Sequence, residues 1–245
     1  MHFTYEAYKN LLSDLKAHGY ETASYENWQE KGRCVILRHD IDNDISKALQ
    51  LAKLEWNVGV KSAYFVLVTS DFYNVFSARS GALLQEIAAC GHEIGLHFDE
   101  VRYREIRTPE DARALILREA ALLEQAAGVP VKTVSMHRPS KMMVEADLKI
   151  PGMINSYGQT YFKDFKYLSD SRRRWREPVE EIIKAETYER LHILTHAIWY
   201  NEIEMNIHNT LEAFINKGNL ARYEAEKENI TDLESIMRLE EIIGN

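Results

Sequence analysis

The sequence of 245 residues predicts an α/β fold, in which about seven parallel strands form a barrel or partial barrel with additional helices at both ends of the chain. Short apolar runs of strand length alternate with amphipathic helical segments between residues 34 and 200, which is the pattern of parallel strands joined by helical crossovers. No glycine-rich phosphate loop follows the first of these strands, which argues against an open dinucleotide-binding sheet. We therefore expect one barrel domain over residues 1–245.

The first predicted elements are a helix, a buried strand and a second helix. Apolar residues recur at helical spacing through 4–18, and Gly19 ends that helix. The apolar run at 34–37 predicts a strand that finishes in the ionisable residues of 38–42. Residues 45–56 repeat apolar positions at helical spacing, and Asp44 is placed to cap this helix.

The later elements follow from continuous apolar runs of strand length and from helix end signals. Gly91 ends one helix, and Thr108 followed by Pro109 begins another. A continuous apolar run is typical of a strand that is buried on both faces. The predicted strands are 60–69, 93–97, 131–136, 154–160, 165–168 and 191–195, and the predicted helices are 81–90, 108–127 and most of 203–243.

Composition excludes several classes of protein. The net charge of −8 argues against general binding of nucleic acid, which requires a basic surface. Cys34 and Cys90 lie in or beside apolar runs, so we expect free thiols and no disulfide framework. The sequence has no apolar signal segment and no run long enough to span a membrane, which predicts a cytoplasmic protein.

Ionisable side chains follow successive predicted strands at the point where each strand ends. The carboxyl ends of parallel strands lie at one edge, where α/β folds place ligands and chemistry. Asp40 and Asp42 are two residues apart, so an extended backbone points both carboxylates to the same side. A helix-capping turn would also explain Asp42, but carboxylates and imidazoles at five strand ends favour a hydrolytic metal site. These strand-end residues are Asp40, Asp42, His97, Asp99, His137, Arg138, Asp170 and His196.

The order of these residues resembles the polysaccharide deacetylases, the family 4 carbohydrate esterases, and in particular their branch with an Asp-x-Asp first motif. The resemblance extends from about residue 34 to residue 200. Asp40 and Asp42 match the base and the metal ligand of the first motif. The lead Gly-His-Glu-Ile-Gly of the second motif is present at 91–95 and is followed by its ligand His97. The family implies a distorted (β/α) barrel, a metal-dependent N-deacetylase activity and a carbohydrate substrate.

The last three motifs complete the resemblance. Arg138 beside Pro139 matches the arginine that orients the base. Asp170, followed by Trp175, matches the fourth motif, and we expect Asp170 to hold Arg138. His196 matches the histidine that ends a strand in the fifth motif and acts as the acid.

The second motif departs from the family pattern, because Val101 stands where a second ligand histidine is expected. The third metal ligand must then come from elsewhere. His137 is the first choice because it restores an Asp-His-His set, and Asp99 is the second. Zinc is the preferred ion, with cobalt, nickel or iron as alternatives. Ser140 replaces the second proline of the third motif.

Candidate substrate contacts follow the fourth and fifth motifs. Trp175 and Trp199 are candidate platforms for a sugar ring, although a core role explains either equally well. The basic run 172–176, which includes Arg174, is unusual in an acidic chain and could hold an anionic group of a nucleotide- or lipid-linked substrate. The activity that we expect is removal of an acetyl group from an N-acetylated sugar or sugar precursor in cell-surface polysaccharide metabolism.

Two other functions remain open from the sequence. One is a metal hydrolase that cleaves another C–N amide bond, and the other is a non-catalytic carbohydrate-binding relative, which the loss of a ligand at Val101 favours. The C-terminal helices also leave a homodimer open.

Overall fold

The computed structural model describes residues 1–242, which fall into two compact units. The first unit is Met1–Glu202, and the second begins at Ile203. The expectation of a single domain over 1–245 is not tested by this division and stays a prediction, and its last three residues lie outside the described residues.

The first unit alternates strands and helices as the sequence predicts. Its strands are β1 (Glu21–Ala23), β2 (Cys34–Ile41), β3 (Ala63–Val66), β4 (Glu93–Phe98), β5 (Thr133–Met136), β6 (Ile154–Asn155), β7 (Lys166–Ser169) and β8 (Arg190–Thr195). Its α-helices are α1 (Tyr5–Ala17), α2 (Ile45–Asn57), α3 (Ala78–Ala89), α4 (Pro109–Ala127), α5 (Lys141–Glu145), α6 (Gln159–Lys163) and α7 (Val179–Ala185).

The second unit consists of α8 (Ile207–Asn229), α9 (Leu233–Ile236) and a short 3-10 turn at Leu239–Glu241. The helical prediction for 203–243 is thus confirmed over most of its length, and its last residue lies outside the described residues. No helix within residues 1–242 is both long enough and apolar enough to cross a membrane. Cys34 and Cys90 are free, as expected.

All the strands pair in parallel, in the order β6-β5-β4-β3-β2-β8-β7, and β1 pairs with the first half of β2. Parallel pairing brings the carboxyl ends of the strands to one edge. No ladder among the described residues joins β6 to β7, so the barrel is partial. The predicted fold class, a distorted or partial (β/α) barrel, is confirmed.

One predicted strand is wrong over most of its length. The prediction of 154–160 holds only for β6, and residues 159–163 form α6 instead. The side chain of Asn155 accepts a hydrogen bond from the backbone N–H of Tyr157, and the Asn155 carbonyl accepts one from Gly158 N–H. This tight turn ends the strand after two residues. No element predicted from the sequence covers β1, α5 or α7.

Strand β2 is buried along its whole length and presents different residues to its two faces. Val35, Leu37 and Ile41 belong to the main core beneath the helices, whereas Cys34 and Ile36 belong to a second cluster. Side chains alternate along a strand, so Arg38 and Asp40 share the face of Cys34 and Ile36. The strand therefore leads from an apolar cluster to ionisable groups at its carboxyl end.

A buried carboxylate on α2 anchors the other face of the barrel strands. The carboxylate of Glu55 accepts hydrogen bonds from the hydroxyls of Tyr8, Ser62 and Tyr64 and lies 2.9 Å from Nε2 of His39. Burial opposes ionisation, but His39 and these donors outweigh it and lower the pKa of Glu55 to about 2. A fully satisfied buried network of this kind fixes the position of β2.

Candidate active site

Three donor atoms from three strand ends face one another at the carboxyl edge of the sheet. Asp42 follows β2, His97 lies in β4, and His137 follows β5. Nε2 of His97 and Nδ1 of His137 are 3.2 Å apart, and each is 3.3 Å from Oδ1 of Asp42. The predicted ligand set is therefore brought together, with His137 in the place that the sequence analysis preferred.

The spacing of these donors fits a tetrahedral cation. Ligand bonds of about 2.0–2.1 Å to zinc place neighbouring donor atoms about 3.3–3.4 Å apart in a tetrahedral site. The three distances here lie close to that range. Oδ1 of Asp42 is buried, faces the two imidazoles at 3.3 Å and receives no well-formed hydrogen bond from the described residues. Three protein donors leave a fourth position open, as catalytic zinc sites do.

The carboxylate of Asp42 is held in its ionised form. Burial alone would raise its pKa, but the facing imidazoles of His137 and His97 outweigh burial and lower the pKa well below its ordinary value. An ionised carboxylate is the form that binds a cation.

The carboxylate of Asp40 lies beside the candidate metal-binding group, which consists of Asp42, His97 and His137, and is held by Arg38. Nη2 of Arg38 donates to Oδ2 of Asp40 at 2.6 Å and to Oδ1 at 2.9 Å. The same guanidinium donates to the hydroxyls of Ser135 and Ser156. Nε2 of His97 is 3.5 Å from Oδ2 of Asp40. Burial would raise the pKa of Asp40, but Arg38 outweighs it and the pKa lies below its ordinary value.

Arg138 does not make the contact that the resemblance implies. Its Nη2 pairs with Oδ2 of Asp99, and 59% of its side chain is exposed. The expected pairing of Arg138 with Asp170 is wrong, because Asp170 holds His196 instead. The physical reason is local. Arg138 has a left-handed backbone with φ of 51°, and the loop after β5 directs its side chain to the carboxylate that follows β4.

Asp99, the second choice for the third ligand, is buried and engaged elsewhere. Besides Arg138, its Oδ2 lies 3.7 Å from Nε of Arg102. Val101 is 65% exposed within the 3-10 turn Glu100–Arg102, where the chain has left the strand. The position at which the resemblance expects a histidine is therefore turned outward, and His137 lies in the candidate metal-binding group.

His196 is oriented by a buried carboxylate. Its Nδ1 lies 2.6 Å from Oδ1 of Asp170, while Oδ2 of Asp170 accepts the backbone N–H of His196 and the hydroxyl of Tyr200. Burial would lower the pKa of His196, but Asp170 outweighs it and raises the pKa to about 9. The other ring nitrogen, Nε2, is 3.8 Å from Oδ2 of Asp42 and thus faces the candidate metal-binding group.

The aromatic candidates have a structural role in this arrangement. Trp175 and Trp199 are partly buried and pack against the main core. Their indole N–H groups have no hydrogen-bond partner among the described residues. Arg174 is exposed, and its backbone N–H donates to the carbonyl of Asp170. Their role as substrate contacts stays a prediction.

Arg38 is the residue of this site that the sequence analysis left without a role. Its signal was its place in the alternation, since Arg38, Asp40 and Asp42 share one face of an extended chain. The sequence pattern did not show that the side chain of Arg38 can fold back onto the carboxylate of Asp40, two residues further along the strand.

Comparisons with known proteins give similar structures but no close relative. No protein-family model matches the chain, and no curated protein matches it. The carbohydrate esterase family 4 (CE4) domain of a multidomain xylanase from the hindgut metagenome of Trinervitermes trinervoides is similar, with a TM-score of 0.44 and 16% identity over 77% of this chain and 85% of that chain. A family 4 acetyl xylan esterase from Clostridium thermocellum, solved with a cobalt ion, has a TM-score of 0.42 and 15% identity over 73% of this chain and 78% of that chain. A CE4 family pseudoenzyme from Bacillus anthracis has a TM-score of 0.42 and 14% identity over 76% of this chain and 60% of that chain.

Proposed function

We propose that this chain is a metal-dependent N-deacetylase of the polysaccharide deacetylase family, acting on an N-acetylated sugar or sugar precursor of cell-surface polysaccharide. The observation that carries the proposal is the convergence of five side chains at the carboxyl edge of the barrel. They are Asp40, Asp42, His97, His137 and His196.

Asp42, His97 and His137 would hold the divalent cation, and zinc is the ion that their donor set favours. When bound, such an ion polarises the amide carbonyl and makes a water molecule more acidic.

Asp40 is the general base in this proposal. Its carboxylate is ionised and lies beside the ligand His97, within reach of a water held near the cation. Arg38 fixes the orientation of this carboxylate and keeps it charged in a buried position. Asp40 accepts a proton from the water as the water oxygen attacks the acetyl carbon.

His196 is the general acid. Asp170 holds Nδ1, which leaves Nε2 directed toward the metal-binding group. The protonated ring donates its proton to the nitrogen of the amide as the C–N bond breaks. The products are acetate and a free amino sugar, and the proton that Asp40 takes from water balances the one that His196 gives.

Acetate release and metal content test this proposal together. Purified protein loaded with zinc is assayed on N-acetylglucosamine oligomers and on N-acetylglucosamine phosphates, and its metal content is measured by mass spectrometry. We expect Asp40→Asn to keep the metal and to lose at least a hundredfold in turnover, whereas Asp42→Ala loses both. The exposed residue Asp164 supplies the matched control Asp164→Asn, which keeps both.

Each alternative has its own outcome in the same experiment. Near-stoichiometric metal with release of amine from other amides, but not from N-acetyl sugars, would identify a different amide hydrolase. Sugar binding without stoichiometric metal would identify a non-catalytic relative. Wild-type turnover of the Asp40→Asn protein would overturn the assignment of the base.

A further inference from the structure

A separate cavity of about 300 Å³ opens beside the active-site residues and plays no part in the mechanism described above. It is formed by the loop after β6, helix α6, strand β7 and the basic segment that follows β7. The lining residues that matter here are Tyr157, Phe162, Tyr167, Ser169, Ser171 and Arg176.

Three aromatic rings form one wall of this cavity. The centroids of Tyr157 and Phe162 are 5.1 Å apart, and those of Phe162 and Tyr167 are 4.8 Å apart. Phe162 is 37% exposed, so part of this aromatic wall is accessible to solvent. A continuous, partly exposed aromatic surface is suited to the apolar face of a sugar ring or another flat group.

Two residues that line the cavity neighbour the residues that hold the proposed general base and general acid. The guanidinium carbon of Arg38 lies 5.3 Å from the ring centroid of Tyr157, and the same guanidinium holds Asp40. At the other side, Ser169 immediately precedes Asp170, which orients His196. The cavity wall is therefore in contact with Arg38 and adjacent in sequence to Asp170, the residues that hold Asp40 and His196.

The polar groups of the cavity favour an anion. Arg176 is exposed, and no described residue forms a hydrogen bond or ion pair with its side chain. The nearby Glu177 is already paired with Lys166, at 2.6 Å between Oε2 and Nζ. The negative charge of Glu177 at the rim is therefore balanced by Lys166, whereas no described residue balances the positive charge of Arg176.

The two serines add a hydrogen-bond donor. Their hydroxyl oxygens are 2.7 Å apart, and Oγ of Ser169 also accepts the backbone N–H of Ser171. Their mutual hydrogen bond uses one of the two hydroxyl protons, and both serines line the cavity, so a ligand there can accept a hydrogen bond when a hydroxyl reorients. A planar guanidinium and a hydroxyl donor are groups that bind phosphate.

We propose that this cavity binds a phosphorylated N-acetyl sugar, with the sugar ring against the aromatic wall and the phosphate on Arg176 and the serine hydroxyls. The proposal rests on the proposed function only for the N-acetyl group. The volume of about 300 Å³ is at the lower limit of small-molecule sites, which fits one sugar unit inside the cavity.

The test is a titration of the full-length protein, loaded with zinc, by calorimetry. The probes are N-acetylglucosamine, its 1-phosphate and its 6-phosphate, and the catalytically inactive Asp40→Asn background prevents turnover. We expect at least one phosphorylated sugar to bind tenfold or more tightly than the neutral sugar. We expect Arg176→Gln to remove this advantage and to change the affinity for the neutral sugar less than twofold.

A second arginine controls for the change of net charge. Arg79, exposed on α3 and outside the cavity, is replaced in Arg79→Gln, which we expect to bind all three sugars as the parent does. Melting temperatures verify that the variants fold. Equal affinities for neutral and phosphorylated sugars, no binding of either phosphate, or an Arg176→Gln protein with unchanged selectivity would each overturn the proposal.

The outcome is independent of the proposed activity. Selective binding without any acetate release from the zinc-loaded wild type would support the cavity proposal and reject the deacetylase. Acetate release from neutral sugars without selective binding of phosphorylated sugars would support the deacetylase and reject the cavity proposal.

Discussion

The guanidinium of Arg38 lies 2.6 Å from the carboxylate of Asp40, between Nη2 and Oδ2, and both side chains are almost completely buried. They are two residues apart on one face of β2, so the arginine folds back along the strand to reach the carboxylate. Phe65 and Tyr157 flank the guanidinium at 5.0 and 5.3 Å from their ring centroids. The pair therefore lies between the apolar interior of the barrel and the carboxyl edge of the sheet.

Replacing one member of this pair should lower the free energy of unfolding substantially, whereas replacing both members should lower it much less. A buried charge left without its partner costs about 3–5 kcal/mol, whereas replacement of both charges by neutral groups can be close to neutral. We expect Arg38→Met and Asp40→Asn each to lower the free energy of unfolding by about that amount, and the double variant to lose less than their sum. Urea unfolding of the four proteins measures the coupling.

The exposed pair of Lys53 and Glu86 gives the matched control for that experiment. Surface ion pairs contribute about 0–1 kcal/mol, so Lys53→Met should cost little. Additive losses in the Arg38 and Asp40 variants would contradict a direct buried interaction between the two side chains.

His137 is expected to be the third metal ligand. Removing one of three protein ligands should weaken zinc binding by at least about a hundredfold, more than the 10–100-fold typical of outer-shell residues. A competition titration with a chromophoric chelator measures the affinity of His137→Ala. The exposed His208 supplies the control His208→Ala, which should bind zinc as the wild type does. Loss of affinity in Asp99→Asn but not in His137→Ala would move the third ligand to Asp99.

His192 should make the stability of the fold depend on pH. The ring is fully buried, its Nε2 lies 2.8 Å from the hydroxyl of Tyr25, and burial, assisted by the charge of Arg38, lowers the pKa of His192 to about 3. Between pH 6.5 and about 3 the unfolded chain binds a proton here and the folded chain does not. The free energy of unfolding should therefore fall with decreasing pH, by up to about 1.4 kcal/mol per pH unit from this group.

Two variants separate this ionisation from the packing around it. His192→Gln should lose this contribution to the slope, so that its stability decreases by about 2 kcal/mol less than that of the wild type between pH 6.5 and pH 5. Tyr25→Phe removes the hydrogen bond and should cost about 1 kcal/mol at every pH while keeping the slope. Urea unfolding at a series of pH values provides both quantities, and an unchanged slope in His192→Gln would contradict the prediction.

The grouping of side chains at the strand ends was predictable because it follows from the spacing of residues along the sequence. Alternation along β2 places Asp40 and Asp42 on one side, and parallel pairing brings His97 and His137 to the same edge. These relationships depend only on the period of a strand and on topology, which a sequence pattern carries.

The partners of those residues were less predictable, because side-chain reach and loop conformation decide them. The sequence assigned Arg138 to Asp40, whereas in the structure Arg38 holds Asp40 and Arg138, with its left-handed backbone, pairs with Asp99. In the same way, the outward turn at Val101 and the early end of β6 depend on local hydrogen bonds that no hydrophobic pattern encodes.

Gly95 lies opposite Phe65 in the pairing of β3 with β4, and no larger residue fits there. A Cβ atom at this position would be 2.5 Å from Cε1 of Phe65 and 2.7 Å from Oγ1 of Thr133. Phe65 also stacks on Arg38, which holds Asp40, and His97 is two residues further along β4, so we expect the clash to displace both Asp40 and His97. We expect Gly95→Ala to lower the free energy of unfolding by about 1–3 kcal/mol, as other overpacked cores do, and to weaken zinc binding.

Gly32 provides a matched substitution, because no atom lies within 4 Å of the Cβ that it would gain. Gly32→Ala should change stability by no more than about 0.5 kcal/mol and leave zinc affinity unchanged. Urea unfolding and chelator competition on the two variants make the comparison. A Gly95→Ala protein as stable as Gly32→Ala, with full zinc affinity, would mean that β4 tolerates a side chain here and that close packing against Phe65 does not position His97.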